Sequence, residues 1–425
     1  MGRFTGIIGI LVILGLAFLW SNNRKAINYR LVITGLILQI VLAVFILKIP
    51  VGQDIFAWLG KAINKLLDFS QQGGLFVFGD LTKVPRILPP EIVSGGIFLF
   101  ILIPTIIFVC VLVAMAYHVG LMQRVVAGIA RFVHWAMRVS GSEALSNVAS
   151  AFVGQVEAQI MIRPYLSGMT MSELLASMTG SMACIAGGVM AVYISMGVPA
   201  SYLLAASLMA APGALVISKI VFPETQESET KGKVKLEVKS EHANIMDAIS
   251  HGASDGMKIS INVIAMLIGV IALVALVDAL LGYFGQFLAW TGASLDFIGL
   301  NVENLRLKDV FGAFFSLFAI VMGVPVAESF EVGSLMGTKM VINEFVAYTD
   351  LSPMIAQGAL SAKSIVIASF ALCGFANFSS IAIQLGGIGA MVPERKADLA
   401  RLGFKAMICG TMASYISASL AGILM

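Results

Sequence analysis

The chain has 425 residues, of which 59% are hydrophobic and only 12% are charged. Soluble domains carry about 25% charged residues, so this chain lacks the polar surface that a soluble protein of its size needs. The composition argues against a soluble enzyme, a nucleic-acid-binding protein and a disordered scaffold, and it indicates a polytopic protein embedded in a lipid bilayer. The net charge of +3 is too small to indicate a nucleic acid or another polyanion as partner.

A membrane-spanning helix needs about 20 mostly apolar residues, and eight segments meet this requirement. We expect the first to be a retained span, because it lacks a small-residue cleavage site. The expected spans are residues 5–20, 31–49, 97–117, 174–195, 200–222, 259–283, 364–388 and 403–424. Residues 53–68 and 121–138 each have one apolar and one polar face, which predicts amphipathic helices at the membrane interface.

Two further apolar regions are interrupted by turns and carboxylates, which fit poorly in a simple span. Such breaks occur at membrane depth only where protein or a water-filled cavity surrounds them. We therefore predict two re-entrant helical hairpins, one near 145–163 and one within 309–349. Each is followed by a span with a soft or polar middle and then by a full span, and the two hairpins are expected to enter from opposite sides. This order predicts an inverted repeat, an arrangement in which transporters hold substrate near the membrane midplane.

The predicted all-α fold divides into five parts that alternate between scaffold and repeat. They are residues 1–96 (N-terminal spans and interfacial helix), 97–140 (scaffold span and interfacial helix), 141–222 (first hairpin-span repeat), 223–308 (linker and scaffold span) and 309–425 (second hairpin-span repeat). The hydrophilic stretch 223–242 is expected to be a cytoplasmic linker. With both termini outside, 17 of the 27 Lys and Arg residues lie in segments that face the cytoplasm. The positive-inside rule favours this orientation.

Carboxylates near the centre of a bilayer are costly, so Glu157, Glu328 and Glu344 need a reason to be there. All three fall in the predicted hairpins, where they can line a wet cavity and serve ligand binding or ion coupling. The alternative for each is a buried structural carboxylate held by backbone amides or a lysine. Gln155 adds a carboxamide, and amides with carboxylates can pair with the edge of a heterocycle. The residue pattern alone does not rank Glu328 against Glu344.

The span at 364–388 contains a polar group in its middle. Asn377 and Ser380 are three residues apart and would share a helix face. The surrounding Gly-Phe-Ala-Asn-Phe-Ser-Ser composition is poor for a continuous helix, so a break there would expose backbone polar groups to the cavity. The alternative is that these residues make ordinary hydrogen bonds between packed membrane helices.

Enzyme motifs such as HExxH and the P-loop are absent from the sequence. The four histidines, His118, His134, His242 and His251, are scattered along the chain and are not expected to form a metal set. Uphill transport would have to draw on an ion gradient, because the chain has no ATP-binding domain. Two other functions remain open, a passive channel for small polar solutes and an intramembrane enzyme using two carboxylates.

Three motifs together resemble those of the concentrative nucleoside transporters, in particular the eight-span bacterial nucleoside permeases. They are Gly154-Gln155-Val156-Glu157, then Gly337-Thr338-Lys339 with Asn343-Glu344-Phe345-Val346-Ala347, and Phe375-Ala376-Asn377-Phe378-Ser379-Ser380. The resemblance extends over nearly the whole chain. It implies a homotrimer in the cytoplasmic membrane that imports nucleosides such as uridine with protons or sodium, without an organic cofactor.

The resemblance also implies roles for individual residues. Gln155 and Glu157 would bind the nucleobase, with Val189 lining the same pocket. Glu344 would hold the ribose hydroxyls together with Asn377 and Ser380, which selects Glu344 over Glu328. A vicinal diol offers two donors, which suit a carboxylate. The remaining substrate-site residues by position are Val156 and Phe375.

Three positions depart from the pattern of the family. Val156 replaces the usual Thr or Ser, so one hydroxyl contact to the base is lost. Ser150 and Cys184 stand where sodium-coupled members carry Asn and Ser ligands, which in those members act with two backbone carbonyls, here at Val153 and Ile185. A hard cation prefers oxygen to sulfur, so this set is a poorer sodium site and favours proton coupling. Glu157 or Glu344 would then carry the proton.

Overall fold

A computed structural model describes residues 2–82, 98–230, 242–291 and 305–425 of the chain. Within these ranges the regular secondary structure is helical. The first five α-helices are α1 (Gly2–Leu19), α2 (Tyr29–Leu47), α3 (Pro50–Phe78), α4 (Phe98–His118) and α5 (Leu121–Met137). The predicted amphipathic segment 121–138 is confirmed as a separate helix, whereas 53–68 is only the middle of the longer α3.

The next helices are short and paired, followed by one long helix. They are α6 (Gly141–Ser150), α7 (Glu157–Ile160), α8 (Met171–Ala183), α9 (Gly187–Ser195) and α10 (Ala200–Val221). Ser140 and Glu143 form a capping box at the start of α6, and Thr170 and Glu173 form a second one at the start of α8. These reciprocal hydrogen bonds satisfy the first amides of each helix, so both helices can begin inside the protein.

The second half contains a long single helix and then a series that follows the same order as the first. These helices are α11 (Ile245–Trp290), α12 (Leu307–Met322), α13 (Ser329–Val341), α14 (Glu344–Ala356), α15 (Ala362–Leu372), α16 (Phe378–Met391) and α17 (Lys396–Leu424). In both halves an amphipathic helix precedes a two-part hairpin, a two-part broken helix and a long helix. Within the region 309–349, α12 is a separate helix, and the turn lies at Ile342 and Asn343, between α13 and α14.

In the described ranges, five helices are long and apolar enough to cross a membrane. The segments predicted as the first and seventh spans appear as shorter apolar helices, Thr5–Leu19 and the two-part pair Ala362–Leu372 with Phe378–Met391. The third predicted span, α4, is bent by 75° against α5. Within the long helix α11, only 6% of the Ile271–Trp290 window is buried, so its apolar side chains require lipid or another chain around them.

The centre of the protein is formed by α8, α10 and the C-terminal part of α17, where most residues are buried. Small residues permit the close approach of these helices, as is typical of packed membrane helices. A Cβ added at Gly410 of α17 would lie 3.1 Å from the Cβ of Met182 in α8. Gln39 of α2 donates to the Met209 carbonyl at 3.0 Å, which fixes α2 to α10. This packed centre holds both broken helices in place.

Candidate functional site

The two broken helices meet at their breaks. The first break separates α8 from α9 at Cys184–Ala186, and the second separates α15 from α16 between Cys373 and Asn377. The Phe375 amide donates to the Cys184 carbonyl at 3.3 Å. The sequence predicted the second break and a soft middle at the first, and each break frees backbone groups that a continuous helix would satisfy internally.

Gly374 makes this crossing possible. Its φ is +125°, a conformation that side chains strongly disfavour, and a Cβ at this position would lie 2.6 Å from the Ala183 carbonyl oxygen. The Ser414 hydroxyl of α17 donates to the adjacent Cys373 carbonyl at 2.9 Å. The second break is therefore anchored to both α8 and α17.

Glu344 is a buried carboxylate at the start of α14, next to the N-cap residue Asn343. Its Oε1 accepts a hydrogen bond from the Tyr193 hydroxyl at 3.1 Å. Its Oε2 accepts one from Nδ2 of Asn377 at 2.9 Å. Both oxygens thus have a protein donor, while each retains capacity to accept a further hydrogen bond.

Asn377 caps α16 and links the carboxylate to a second polar group. Its Oδ1 accepts from the Ser380 amide at 2.9 Å and from the Ser379 hydroxyl at 2.7 Å. Nε2 of Gln155, from the first hairpin, lies 3.4 Å from the Ser380 hydroxyl. The network Tyr193–Glu344–Asn377–Ser380–Gln155 therefore joins the two hairpins through the broken helices.

Gln155 has an unused acceptor. Among the described residues, its buried Oε1 atom has no hydrogen-bond partner. A buried amide oxygen without a partner is destabilising by about 1–3 kcal/mol, so such atoms in native proteins call for a missing ligand or water. A donor on a bound small molecule would satisfy this oxygen.

Glu157 and Val189 lie on the wall of a cavity of about 570 Å³. The cavity is also lined by Tyr117, Arg163 and Gly188. Glu157 is exposed in it, so its carboxylate can contact water or a solute. Of the predicted substrate residues, the structure brings Gln155, Glu344, Asn377 and Ser380 into one network and places Glu157 and Val189 in the cavity.

Val156 and Phe375 are the two remaining predicted substrate residues. Val156 packs against α16, because a Cβ at Gly387 would lie 2.6 Å from its Cγ2 atom. Phe375 is half-buried at the second break. Both are apolar surfaces beside the polar network rather than members of it.

Sequence reasoning missed Tyr193, whose hydroxyl donates to Glu344. Its ring stacks on Tyr348 with centroids 4.3 Å apart. A tyrosine inside an apolar stretch signals only that its buried hydroxyl needs some hydrogen-bond partner. The identity of that partner depends on the tertiary fold, since Glu344 is far away in the sequence.

Glu328 lies apart from the network. Its carboxylate accepts from the Ser361 amide at 3.1 Å and from the Ser361 hydroxyl at 2.9 Å, at the start of α15. An acidic group at a helix N-terminus satisfies amides there and is favoured by the helix dipole. This geometry agrees with a structural interpretation of Glu328.

The side chains of the proposed sodium site are engaged with different parts of the protein. The Ser150 hydroxyl donates to the Ser146 carbonyl at 2.8 Å and lies 3.0 Å from the Ser181 hydroxyl. The Cys184 thiol points toward the Ser207 carbonyl at 3.7 Å. Val153 and Ile185, the positions of the two backbone carbonyls, are close to Ser150 and Cys184 in the sequence and are buried. The side chains of the set offer one hydroxyl and one thiol beside the two backbone carbonyls, and a thiol is a weak ligand for a hard cation.

The expectation of scattered histidines is wrong for three of the four. The rings of His242 and His251 have centroids 5.1 Å apart, and those of His118 and His242 are 6.5 Å apart. Sequence reasoning missed this group because α4 and the start of α11, which pack together, are more than a hundred residues apart in the chain.

Three family models match successive parts of the chain. The model described as "Na+ dependent nucleoside transporter N-terminus" matches residues 8–81, "Nucleoside recognition" matches 99–200, and "Na+ dependent nucleoside transporter C-terminus" matches 202–422. Together the three models extend over nearly the whole sequence. The broken helices and the central polar network of the structure also suit a membrane transporter.

Individual proteins agree with these matches over their full lengths. The nucleoside permease NupC of Helicobacter pylori is 35% identical over 420 residues, covering 98% of this chain and 96% of that protein. The uncharacterized transporter YutK of Bacillus subtilis is 39% identical over 424 residues, covering both chains completely.

Solved structures show the same fold. CNTnw in an inward-facing, substrate-bound state has a TM-score of 0.90 and 38% identity, covering 100% of this chain and 98% of that one. A substituted form of CNTnw in an outward-facing state also has a TM-score of 0.90. The chain belongs to the concentrative nucleoside transporter family, whose members are transporters rather than enzymes.

Proposed function

We propose that the protein is a cation-coupled importer of nucleosides such as uridine. The observation that carries this proposal is the buried network in which Glu344 and Asn377 meet beside the unpartnered Oε1 atom of Gln155. A site that combines buried hydrogen-bond acceptors with nearby apolar side chains suits a ligand that has donors at both ends and a flat middle. A nucleoside has ribose hydroxyls at one end and a nucleobase edge at the other.

The residues divide between the two ends of this ligand. Glu344 would accept hydrogen bonds from the ribose hydroxyls, and Asn377 and Ser380 would supply further hydrogen bonds to them. Gln155 and Glu157 would bind the edge of the base, directly or through water.

The apolar surfaces of Val156, Val189 and Phe375 would exclude water around the base. Val156 lacks the hydroxyl that the family motif leads us to expect at this position, so base recognition in this protein would rely more on Gln155. This division supports binding of a flat heterocycle without fixing which base is preferred.

Transport would follow alternating access. CNTnw has been solved in inward-facing, outward-facing and intermediate states, and this chain shares its fold. The moving unit would comprise residues 141–222 and 309–425, which contain both hairpins and both broken helices. The scaffold would comprise 1–96, 97–140 and 223–308. We propose that the whole protein forms a homotrimer in the cytoplasmic membrane, with both termini outside.

The coupling ion is proposed to be a proton, although the matched family is described as sodium-dependent. The side chains at the sodium position are Ser150 and Cys184, and sulfur is a poor ligand for a hard cation. A carboxyl group at the substrate site, Glu157 or Glu344, can instead exchange a proton with each transport cycle.

Accumulation of uridine tests this function against its alternatives. Proteoliposomes containing the protein are predicted to concentrate radiolabelled uridine above the external level under an imposed cation gradient. A passive channel would stop at equal concentrations, and an intramembrane enzyme would return altered uridine. Equilibration without accumulation, or recovery of a chemically changed product, would contradict the proposal.

A further inference from the structure

Three titratable side chains converge where the chain enters α11, away from the polar network. His242 Nδ1 lies 3.9 Å from one carboxylate oxygen of Asp247, and His251 Nε2 lies 3.5 Å from the other. One ligand atom from each of the three residues can be chosen so that all lie within 4.8 Å of one another. We call His242, Asp247 and His251 the α11 triad.

Local structure holds the triad together. Asn244 caps α11 by accepting from the Asp247 amide at 3.0 Å, and Asp247 Oδ2 accepts from the Ala243 amide at 2.9 Å. Asp247 and His251 are four residues apart and therefore lie on one face of the helix. The capped turn brings His242 onto the same face, so the arrangement is a product of the helix start rather than of long flexible side chains.

The donor types match a transition metal. Zinc in proteins is bound by imidazole nitrogens and carboxylate oxygens at about 2.0–2.2 Å, in tetrahedral geometry. That geometry separates ligand atoms by about 3.3 Å. One ligand atom from each residue of the triad lies within 4.8 Å of the other two, so side-chain rotations that draw them together would complete three bonds.

The triad is accessible to ions from solution. The side chains of His242, Asp247 and His251 are 24%, 36% and 61% exposed. A fourth position can be taken by water or by the imidazole of His118, at the end of α4. His242 also lines the cavity that contains Glu157, so the triad lies at the edge of that cavity.

We propose that the α11 triad binds a divalent transition-metal ion of the Zn²⁺ class. The bound ion would hold His242 against the first turns of α11 and would thereby make the edge of the cavity that His242 lines more rigid. Coordination by His118 would extend the link to α4, which packs along α11.

Metal binding can be measured without any transport assay. The full-length, tag-free protein in detergent is stripped of metal and titrated with Zn²⁺ against a chromophoric chelator. We expect about one zinc per chain. Because loss of a ligand typically weakens a zinc site by tenfold or more, His251→Gln, His242→Gln and Asp247→Asn should each weaken binding by at least about tenfold.

The fourth histidine provides a matched control. His134, on α5, contacts the Val139 carbonyl at 2.6 Å and lies outside the triad, so His134→Gln should leave zinc affinity unchanged. Thermal unfolding of each variant without metal establishes that it is folded. Substoichiometric binding, or binding that the triad variants leave unchanged, would overturn the proposal. Replacement by Co²⁺ should give the visible absorption of a four-coordinate site, which an adventitious surface ion would not.

Discussion

Glu344 and Asn377 are joined by a hydrogen bond of 2.9 Å between the carboxylate and the side-chain amide. Each stands at the N-terminus of a helix, Glu344 in the first turn of α14 and Asn377 as the cap of α16. Helix N-termini favour negative charge, so two helices support the same carboxylate. The hairpin and the second broken helix are thereby fixed to each other at the proposed ribose site.

Glu344→Gln is predicted to weaken uridine binding. Hydrogen bonds to charged groups contribute about 1.5–3 kcal/mol, which corresponds to a loss of roughly tenfold to a hundredfold in affinity. Isothermal titration of the purified protein with uridine measures this effect. Glu328→Gln is the matched control, because Glu328 contacts Ser361 outside the network and should leave affinity nearly unchanged. Equal affinities for Glu344→Gln and the unsubstituted protein would refute the assigned role.

Gly374→Ala is predicted to disrupt the crossing of the two breaks. The substitution combines a φ of +125° with a contact of 2.6 Å to the Ala183 carbonyl oxygen. Backbone strain of this kind costs about 1–3 kcal/mol, before any cost of the close contact. The thermal unfolding midpoint in detergent should fall, together with uridine affinity.

Gly386→Ala serves as the control, because a Cβ there meets nothing within 4 Å. Alanine is the better helix former, so this variant should be as stable as the parent or slightly more so. If Gly374→Ala unfolds at the same temperature as the parent, the crossing of the two breaks tolerates a side chain and the prediction is contradicted.

Much of the fold followed from the apolar pattern. A break near Asn377 was expected, because the glycine and small polar residues there are poor for a continuous helix, and it is present. The span at 174–195 was expected only to be soft in its middle, and it is broken after Ala183. The turn of the second hairpin was not assigned within 309–349. Gly323 ends α12, and the turn lies at Ile342 and Asn343, where Asn343 caps α14.

The site was predicted less completely than the fold. The pattern identified the carboxylates but could not choose between Glu328 and Glu344, and only the motif resemblance selected Glu344. Tyr193 was missed because its contact with Glu344 joins segments distant in sequence, and periodicity reports only on neighbours along one helix. The α11 triad is local in sequence, but His242 precedes the helix, so helical periodicity does not place it beside Asp247 and His251.

Lys219→Ala is predicted to destabilise the protein strongly. The buried ammonium group of Lys219 forms an ion pair with the buried Glu143 and donates to the Ser172 hydroxyl at 2.8 Å. Removing one partner of a buried pair leaves an uncompensated charge, which costs about 3–5 kcal/mol. A clear fall in the thermal unfolding midpoint should follow.

An exposed ion pair gives the comparison. Lys258 and Asp255 pair at 3.3 Å with side chains 71% and 61% exposed. Such surface pairs contribute about 0–1 kcal/mol, so Lys258→Ala should scarcely change the midpoint. Similar effects of the two alanine variants would contradict a stabilising role for the Lys219–Glu143 pair.

Restoring oxygen ligands at the sodium position is predicted to create sodium dependence. The double variant Ser150→Asn with Cys184→Ser replaces the thiol and adds a carboxamide oxygen, which improves the set for a hard cation. Uridine affinity of this variant should rise when choline chloride is exchanged for sodium chloride, whereas that of the parent should not. Cys409→Ser, in a buried cysteine of α17, controls for cysteine loss. Sodium-stimulated binding in the parent would contradict the proposed proton coupling.

Uridine uptake into proteoliposomes with pH and sodium gradients imposed separately tests the central claim most directly. The account predicts accumulation of unchanged uridine above the external concentration when the outside is acidic, with or without sodium. Accumulation that requires sodium would overturn the coupling ion. Failure to accumulate any nucleoside under either gradient would contradict the transport function itself.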